Sequence, residues 1–127
     1  MRLLLAVAAL ALVPASQAGP AAPFRAVLTA ATHTPKVNAK WYYTIRATRN
    51  GKPIRATLTV QIVDSFGGVH AVQFDNTTKN IVNKPFTGTF RDYVQLPPES
   101  RAFKVTLRAI VRAAGGRITL AWWLKAR

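Results

Sequence analysis

Residues 41–63, WYYTIRATRNGKPIRATLTVQIV, hold two runs of alternating residues joined by Arg49-Asn50-Gly51-Lys52. Asn-Gly tolerates the positive φ angles of a type I′ turn, and between alternating runs it is the strongest local signal for a β-hairpin. In the first run Trp41, Tyr43, Ile45 and Ala47 share one face, and Tyr42, Thr44, Arg46 and Thr48 share the other. In the second, Ile54, Ala56, Leu58, Val60 and Ile62 oppose Arg55, Thr57, Thr59, Gln61 and Val63. A period of two with one apolar face is the pattern of a half-buried sheet. Two strands alone are not stable in water, so the apolar face requires a second sheet from the rest of the chain.

Upstream, Phe24, Ala26, Leu28 and Ala30 alternate within residues 24–32 and predict a first strand, ended by His33-Thr34-Pro35-Lys36. Downstream, Asp64-Ser65-Phe66-Gly67-Gly68 breaks the pattern and residues 69–74 resume it briefly. Residues 75–80 are polar and turn-like. Within them Asn76-Thr77-Thr78 matches a glycosylation sequon, which has meaning only in a eukaryotic secretory pathway. A further strand is expected over residues 86–96, with Phe86, Gly88 and Phe90 on one face. Proline has no N–H for a ladder, so that strand stops at Pro97-Pro98. A second hairpin closes the chain: Phe103, Val105, Leu107, Ala109 and Val111 face the core, Ala113-Ala114-Gly115-Gly116 turns, and Ile118, Leu120, Trp122 and Leu124 face the core again. About seven short antiparallel strands, with no sustained 3.6-residue period, predict an all-β, immunoglobulin-like β-sandwich. A small closed barrel has the same periodicity and remains the structural alternative.

At the start, Met1-Arg2, an apolar run over residues 3–13 and the small residues Ser16 and Ala18 make a secretory signal peptide, residues 1–18. Eleven apolar residues fall short of the roughly 20 that a spanning helix needs, which disfavours an uncleaved anchor. Cleavage after Ala18 leaves one domain, residues 19–127, whose first residues, 19–23, form a flexible leader. There is no Cys, so disulfides, thiolate metal sites and a lipoprotein anchor are excluded. The chain has 18 Lys and Arg against 4 Asp and Glu, a formal charge of +14, and loss of Arg2 leaves 17 cations against the same four acids, +13. Such a balance speaks to solubility and to attraction for anionic surfaces or polymers.

Thr34-Pro35-Lys36-Val37, Trp41-Tyr42-Tyr43-Thr44 and Asn50-Gly51-Lys52-Pro53-Ile54 through Val60-Gln61 resemble the entry turn, Trp-x-Tyr strand and Gly-Lys-Pro-Val hairpin of exported bacterial immunoglobulin-like, or fibronectin type III-like, domains of unassigned function. The resemblance covers most of residues 19–127 and implies an exported β-sandwich. Asn38 stands where such an entry turn usually has Gly, and Asn also tolerates positive φ. Periplasmic copper-binding relatives are similar in outline, but here only Met1, His33 and His70 could serve as ligands, and Met1 leaves with the signal peptide.

The chemistry of catalysis is thinly supplied. Asp64, Ser65 and His70 lie close in sequence, but there is no Gly-x-Ser-x-Gly elbow, and Asp or Ser beside Gly67-Gly68 is ordinarily a turn former. Asp64, Asp75, Asp92 and Glu99, each in or beside a turn or strand end, read as salt-bridge partners or turn residues. His33 and His70 lack the spacing of a metal pair and read as surface residues. Neither Gly67-Gly68 nor Gly115-Gly116 opens a helix to cradle phosphate.

The cations are the better lead. Lys104, Arg108 and Arg112 recur every fourth residue on the outward face of one strand, and Arg117, Trp123 and Lys125 lie on the outward face of the next. Like charges opposed on a sheet repel unless solvent or an anionic partner relieves them. An outward Trp among cations suits stacking on a sugar ring or a lipid interface, unless a neighbouring segment covers it. Tyr42 carries the same ambiguity. The sequence thus predicts an exported non-enzymatic module, without cofactor or metal, whose basic outer sheet contacts an anionic cell-wall polymer or lipid surface in the cell envelope. The alternative is a structural or adhesion module that binds protein partners through edge strands, its charge serving only solubility. Specific nucleic-acid binding conflicts with export and lacks a groove-reading helix.

Overall fold

The Asn50-Gly51 turn has positive φ at both residues, 53° and 77°, as type I′ requires. It joins β2 (Trp41–Arg49) to a two-residue strand, β3 (Lys52–Pro53), through the pairs Arg49 with Lys52 and Thr48 with Pro53. The long hairpin expected from the sequence stops there. After Ile54 the chain leaves β2 and continues as β4 (Arg55–Val63) in a second sheet. Ile54 N–H still donates to Ala47 O at 3.3 Å, and the ladder ends there because the Ala47 N–H and the Ile54 carbonyl bond to Gly88 instead of to each other.

The computed structural model describes residues 23–127; the expected signal peptide and nearly all of the leader lie outside them. The described residues are mostly β, in two antiparallel sheets. β1 (Arg25–Ala30) and β7 (Thr89–Val94) flank β2 in the first sheet, with β3 also bonded to β2. In the second sheet the order is β5 (Val69–Ala71), β4, β8 (Lys104–Ala113), β9 (Gly116–Lys125). β6 (Lys84–Thr87) lies beside β5 along the same edge of β4. These nine strands replace the seven expected, because two of the expected runs each divide between the sheets.

The second division falls at Gly88, between β6 in the second sheet and β7 in the first. The sequence reading placed residues 86–96 in one strand; Gly88, at φ 73°, breaks it. The two crossing points meet: the Gly88 N–H donates to the Ile54 carbonyl at 2.9 Å, and the Gly88 carbonyl accepts from Ala47 N–H at 2.8 Å. A Cβ on Gly88 would lie 2.7 Å from Pro53 Cβ, so only glycine allows this approach.

Both sheets turn their apolar faces inward. Trp41, Tyr43, Ile45 and Ala47 from β2 meet Ala56, Leu58 and Val60 from β4, with Leu107, Ala109 and Val111 from β8 and Leu124 from β9, all buried. The alternation assigned these residues inward, together with Ile54, Ile62, Ile118, Leu120 and Trp122, which are half-buried, and Phe103, which is instead exposed because it precedes β8 at the end of the sheet and packs on Phe66. A strap formed by residues 33–37 closes one flank, running alongside the end of β9: Lys125 N–H donates to His33 O, Arg127 N–H to Pro35 O, and Val37 N–H to Arg127 O. Asn38, at φ 59°, turns the strap back toward β2.

Candidate anion-binding face

β8 and β9 pair over their full length, and the register sets Lys104 opposite Lys125, Thr106 opposite Trp123, Arg108 opposite Ala121 and Arg112 opposite Arg117. All six residues singled out in the sequence therefore stand on one face. Lys104, Arg112, Arg117, Trp123 and Lys125 are exposed and Arg108 is half-buried. The face carries a pair of like charges at each end, about 27 Å apart at the rise of an extended strand. Arg55, on the outward row of β4, adds a further exposed cation.

Neutral groups hold these side chains. Arg108 donates from Nε and Nη2 to Gln61 Oε1 at 2.9 and 2.6 Å. Arg112 Nη1 donates to Asn83 Oδ1 at 3.3 Å, Lys125 Nζ donates to the Arg101 carbonyl, and Lys104 Nζ lies 5.6 Å from the centre of the Trp123 ring. Among the described residues the single ion pair joins His70 to Asp64; no Lys or Arg is paired with a carboxylate. Of the two readings of the acids, salt-bridge partner and turn residue, Asp64 fits both: it pairs with His70 and braces the turn before β5. An amide oxygen, a carbonyl or a ring face restrains a cation without cancelling its charge, so the repulsion between Lys104 and Lys125 remains for solvent or an anion to relieve.

Trp123 is 46% exposed, but one side of it is taken. The His33 ring lies between two indoles, 4.2 Å from Trp122 at 7° and 4.1 Å from Trp123 at 14°. His33 Nδ1 is 2.7 Å from the Trp123 carbonyl, which can only accept, so the proton sits on Nδ1. The Thr32 carbonyl accepts from Trp41 Nε1 at 2.8 Å and Trp122 Nε1 at 3.3 Å, anchoring the strap beside the clamp. His33 is thus half-buried and clamped between rings, where the sequence reading had a free surface histidine. No local signal marks a contact between residues 90 apart.

The Asp64, Ser65 and His70 group assembles only in part. His70 Nε2 lies 2.8 Å from Asp64 Oδ2, while Asp64 Oδ1 accepts from the Phe66 and Gly68 N–H groups at 2.8 Å each. The His70 hydrogen bond first, then those two backbone donors, hold the Asp64 carboxyl below the usual carboxylate range. Ser65 Oγ donates to the Lys104 carbonyl and so is not presented to His70 as a nucleophile. Asp92, expected near a strand end, is instead buried in β7, where both its oxygens accept from Asp75 N–H at 3.2 and 3.0 Å. Opposite it in the register is Tyr43, whose buried hydroxyl has no hydrogen-bond partner. Burial pushes that phenol far up, and the Asp92 carboxylate adds to the effect. Among the described residues no three His, Cys, Asp or Glu gather as a metal site would require.

The outer face of the first sheet is basic too, which the sequence reading did not draw out although the alternation places Arg25, Arg46 and Arg91 there. Tyr42 and Tyr93 pair across the strands at 5.6 Å, with the Arg91 guanidinium 4.2 Å above Tyr42 and Lys40 Nζ 4.7 Å above Tyr93. These rings are occupied by cations of the protein itself. Among the described residues no helix is long and apolar enough to cross a membrane. No family model, curated protein or solved structure matches this chain.

Proposed function

We propose that this chain is an exported, non-enzymatic, immunoglobulin-like module whose β8–β9 face binds an anionic component of the cell envelope. The strand order supports the fold assignment: a four-stranded sheet, β1, β2, β3 and β7, faces a five-stranded one, β4, β5, β6, β8 and β9, with the chain passing between them at Ile54 and Gly88. Export rests on the signal pattern of residues 1–18. The observation that carries the binding reading is the way the cations are held. Gln61, Asn83, the Arg101 carbonyl and Trp123 restrain Arg108, Arg112, Lys125 and Lys104, and none of them neutralises its partner. Ordering these long side chains in advance lowers the entropy cost of meeting an anion.

The test is co-sedimentation of residues 19–127 with purified cell wall and with anionic vesicles at low and physiological salt. A variant with Lys104, Arg108 and Arg112 all changed to Ser should lose most of the binding, and the remainder should fall further as salt rises. Undiminished binding by that variant would refute the site. Salt-insensitive self-association in its place would favour the edge-strand adhesion reading.

A further inference from the structure

At the Lys104 end of this face the structure exposes aromatic rings. Phe66, at the tip of the turn between β4 and β5, is 81% exposed, and Phe103, just before β8, is 42% exposed. The two rings meet edge to face at 5.4 Å. Below them Ile62, Leu96, Pro97 and Val105 line a shallow apolar groove of about 400 Å³. The tip is not a loose loop: Asp64 N–H donates to the Gly68 carbonyl at 2.9 Å, and the Asp64 side chain accepts from Phe66 and Gly68. An apolar patch held outward by a braced turn marks an interaction surface. At the same end of β8, Lys104 and, opposite it, Lys125 stand on the outward face while Phe103 and Val105 take the inward one, and the Arg101 carbonyl binds Lys125.

We propose that this end of the molecule docks on an anionic lipid bilayer, Phe66 and Phe103 entering the boundary between headgroups and acyl chains while Lys104, Lys125 and Arg101 meet the lipid phosphates. The inference rests on the charged-face reading and names its partner. A soluble polyanion satisfies the cations but offers no apolar phase for two phenyl rings; a bilayer supplies both. A second copy of the chain would bring a like charge of +13 against the same cations. Pro23, the first described residue, packs at Gly116, at the end of β9 away from the patch. Of the two carboxylates at the groove, Asp64 is engaged by His70 and two backbone donors, and Glu99 sits in the turn beyond Pro97 and Pro98.

The test uses residues 19–127 with sedimenting vesicles of phosphatidylcholine alone, the same vesicles containing phosphatidylglycerol, and soluble inorganic polyphosphate. The wild type should bind the phosphatidylglycerol vesicles. Phe66→Ser should weaken that binding about tenfold, the scale of one phenyl ring withdrawn from an apolar phase, and leave polyphosphate binding unchanged. In Phe66→Trp, lipids with brominated acyl chains should quench fluorescence more than they quench the wild type. Phe66→Ser that binds vesicles as the wild type does, together with no added quenching in Phe66→Trp, overturns the docking. If polyphosphate binding then still disappears in the Lys104, Arg108 and Arg112 variant, the charged-face reading survives on its own. If that variant keeps both activities, the charged-face reading fails as well.

Discussion

Replacing Gly88 by alanine should cost about 2–4 kcal/mol of stability, and the structure gives the parts. At φ 73° an L-residue meets the left-handed penalty, about 1–2 kcal/mol. The new methyl would lie 2.7 Å from Pro53 Cβ, well inside van der Waals contact, and the shift needed to relieve it adds about 1–3 kcal/mol. Stiffening of the unfolded chain offsets about 0.5 kcal/mol. Pro53 has little freedom to withdraw, since it is paired with Thr48 on one side and followed by the Ile54 crossing on the other. Urea unfolding, or a fall in Tm of roughly 10–15 °C for a chain of this size, would read the loss. Gly51→Ala is the matched control: its φ is 77°, but a Cβ there meets nothing within 4 Å, so about 1 kcal/mol is expected. Equal losses in the two variants would refute the claim that close approach between the crossing segments requires glycine at Gly88.

Two further outcomes follow from buried and bonded polar groups. Tyr43→Phe removes a buried hydroxyl without a hydrogen-bond partner and should stabilise the fold by about 1 kcal/mol in urea unfolding; a loss of that size would show that the hydroxyl is bonded. Asp64 has its carboxyl held low by His70, Gly68 and Phe66, so its contribution is present above the ordinary aspartate value of about 3.9 and is lost as pH falls through the lower folded value. The amide resonances of Phe66 and Gly68 should therefore titrate below that value in acid, and a midpoint at or above it would contradict the bonding described.

Much of this was legible in the sequence because a period of two reports which face a residue occupies. The inward sets of β2, β4, β8 and β9 and the shared face of Lys104, Arg108, Arg112, Arg117, Trp123 and Lys125 all follow from it. The same period is silent about partners. Crossing from one sheet to the other at Ile54 preserves the in-and-out alternation, so the run from Ile54 to Val63 read as the second arm of a hairpin with β2. Pro53 was the available warning, and Gly88 inside an apolar run was the second. The restraints on the cations were hidden for a different reason. Gln61, Asn83 and the Arg101 carbonyl come from other segments, and a neutral amide carries no pattern that marks it as an arginine's partner. The acids read as salt-bridge partners or turn residues, and the pattern could not say which: Asp64 is both, while Asp92 is buried and accepts from the Asp75 N–H.

The strap along β9 bears on how the molecule frays. The end of a strand is ordinarily the first part of it to open, exchanging its amide hydrogens through local fluctuations. Here the amides of Lys125 and Arg127 are bonded to His33 and Pro35, Leu124 and Ala126 are buried, and His33 is gripped between Trp122 and Trp123. Opening the end of β9 therefore also requires releasing the connection that leads into β2, in the other sheet. By this bonding β9 should open together with the first sheet instead of peeling away from it, leaving the face that carries Lys125 and Trp123 in shape until much of the fold is lost.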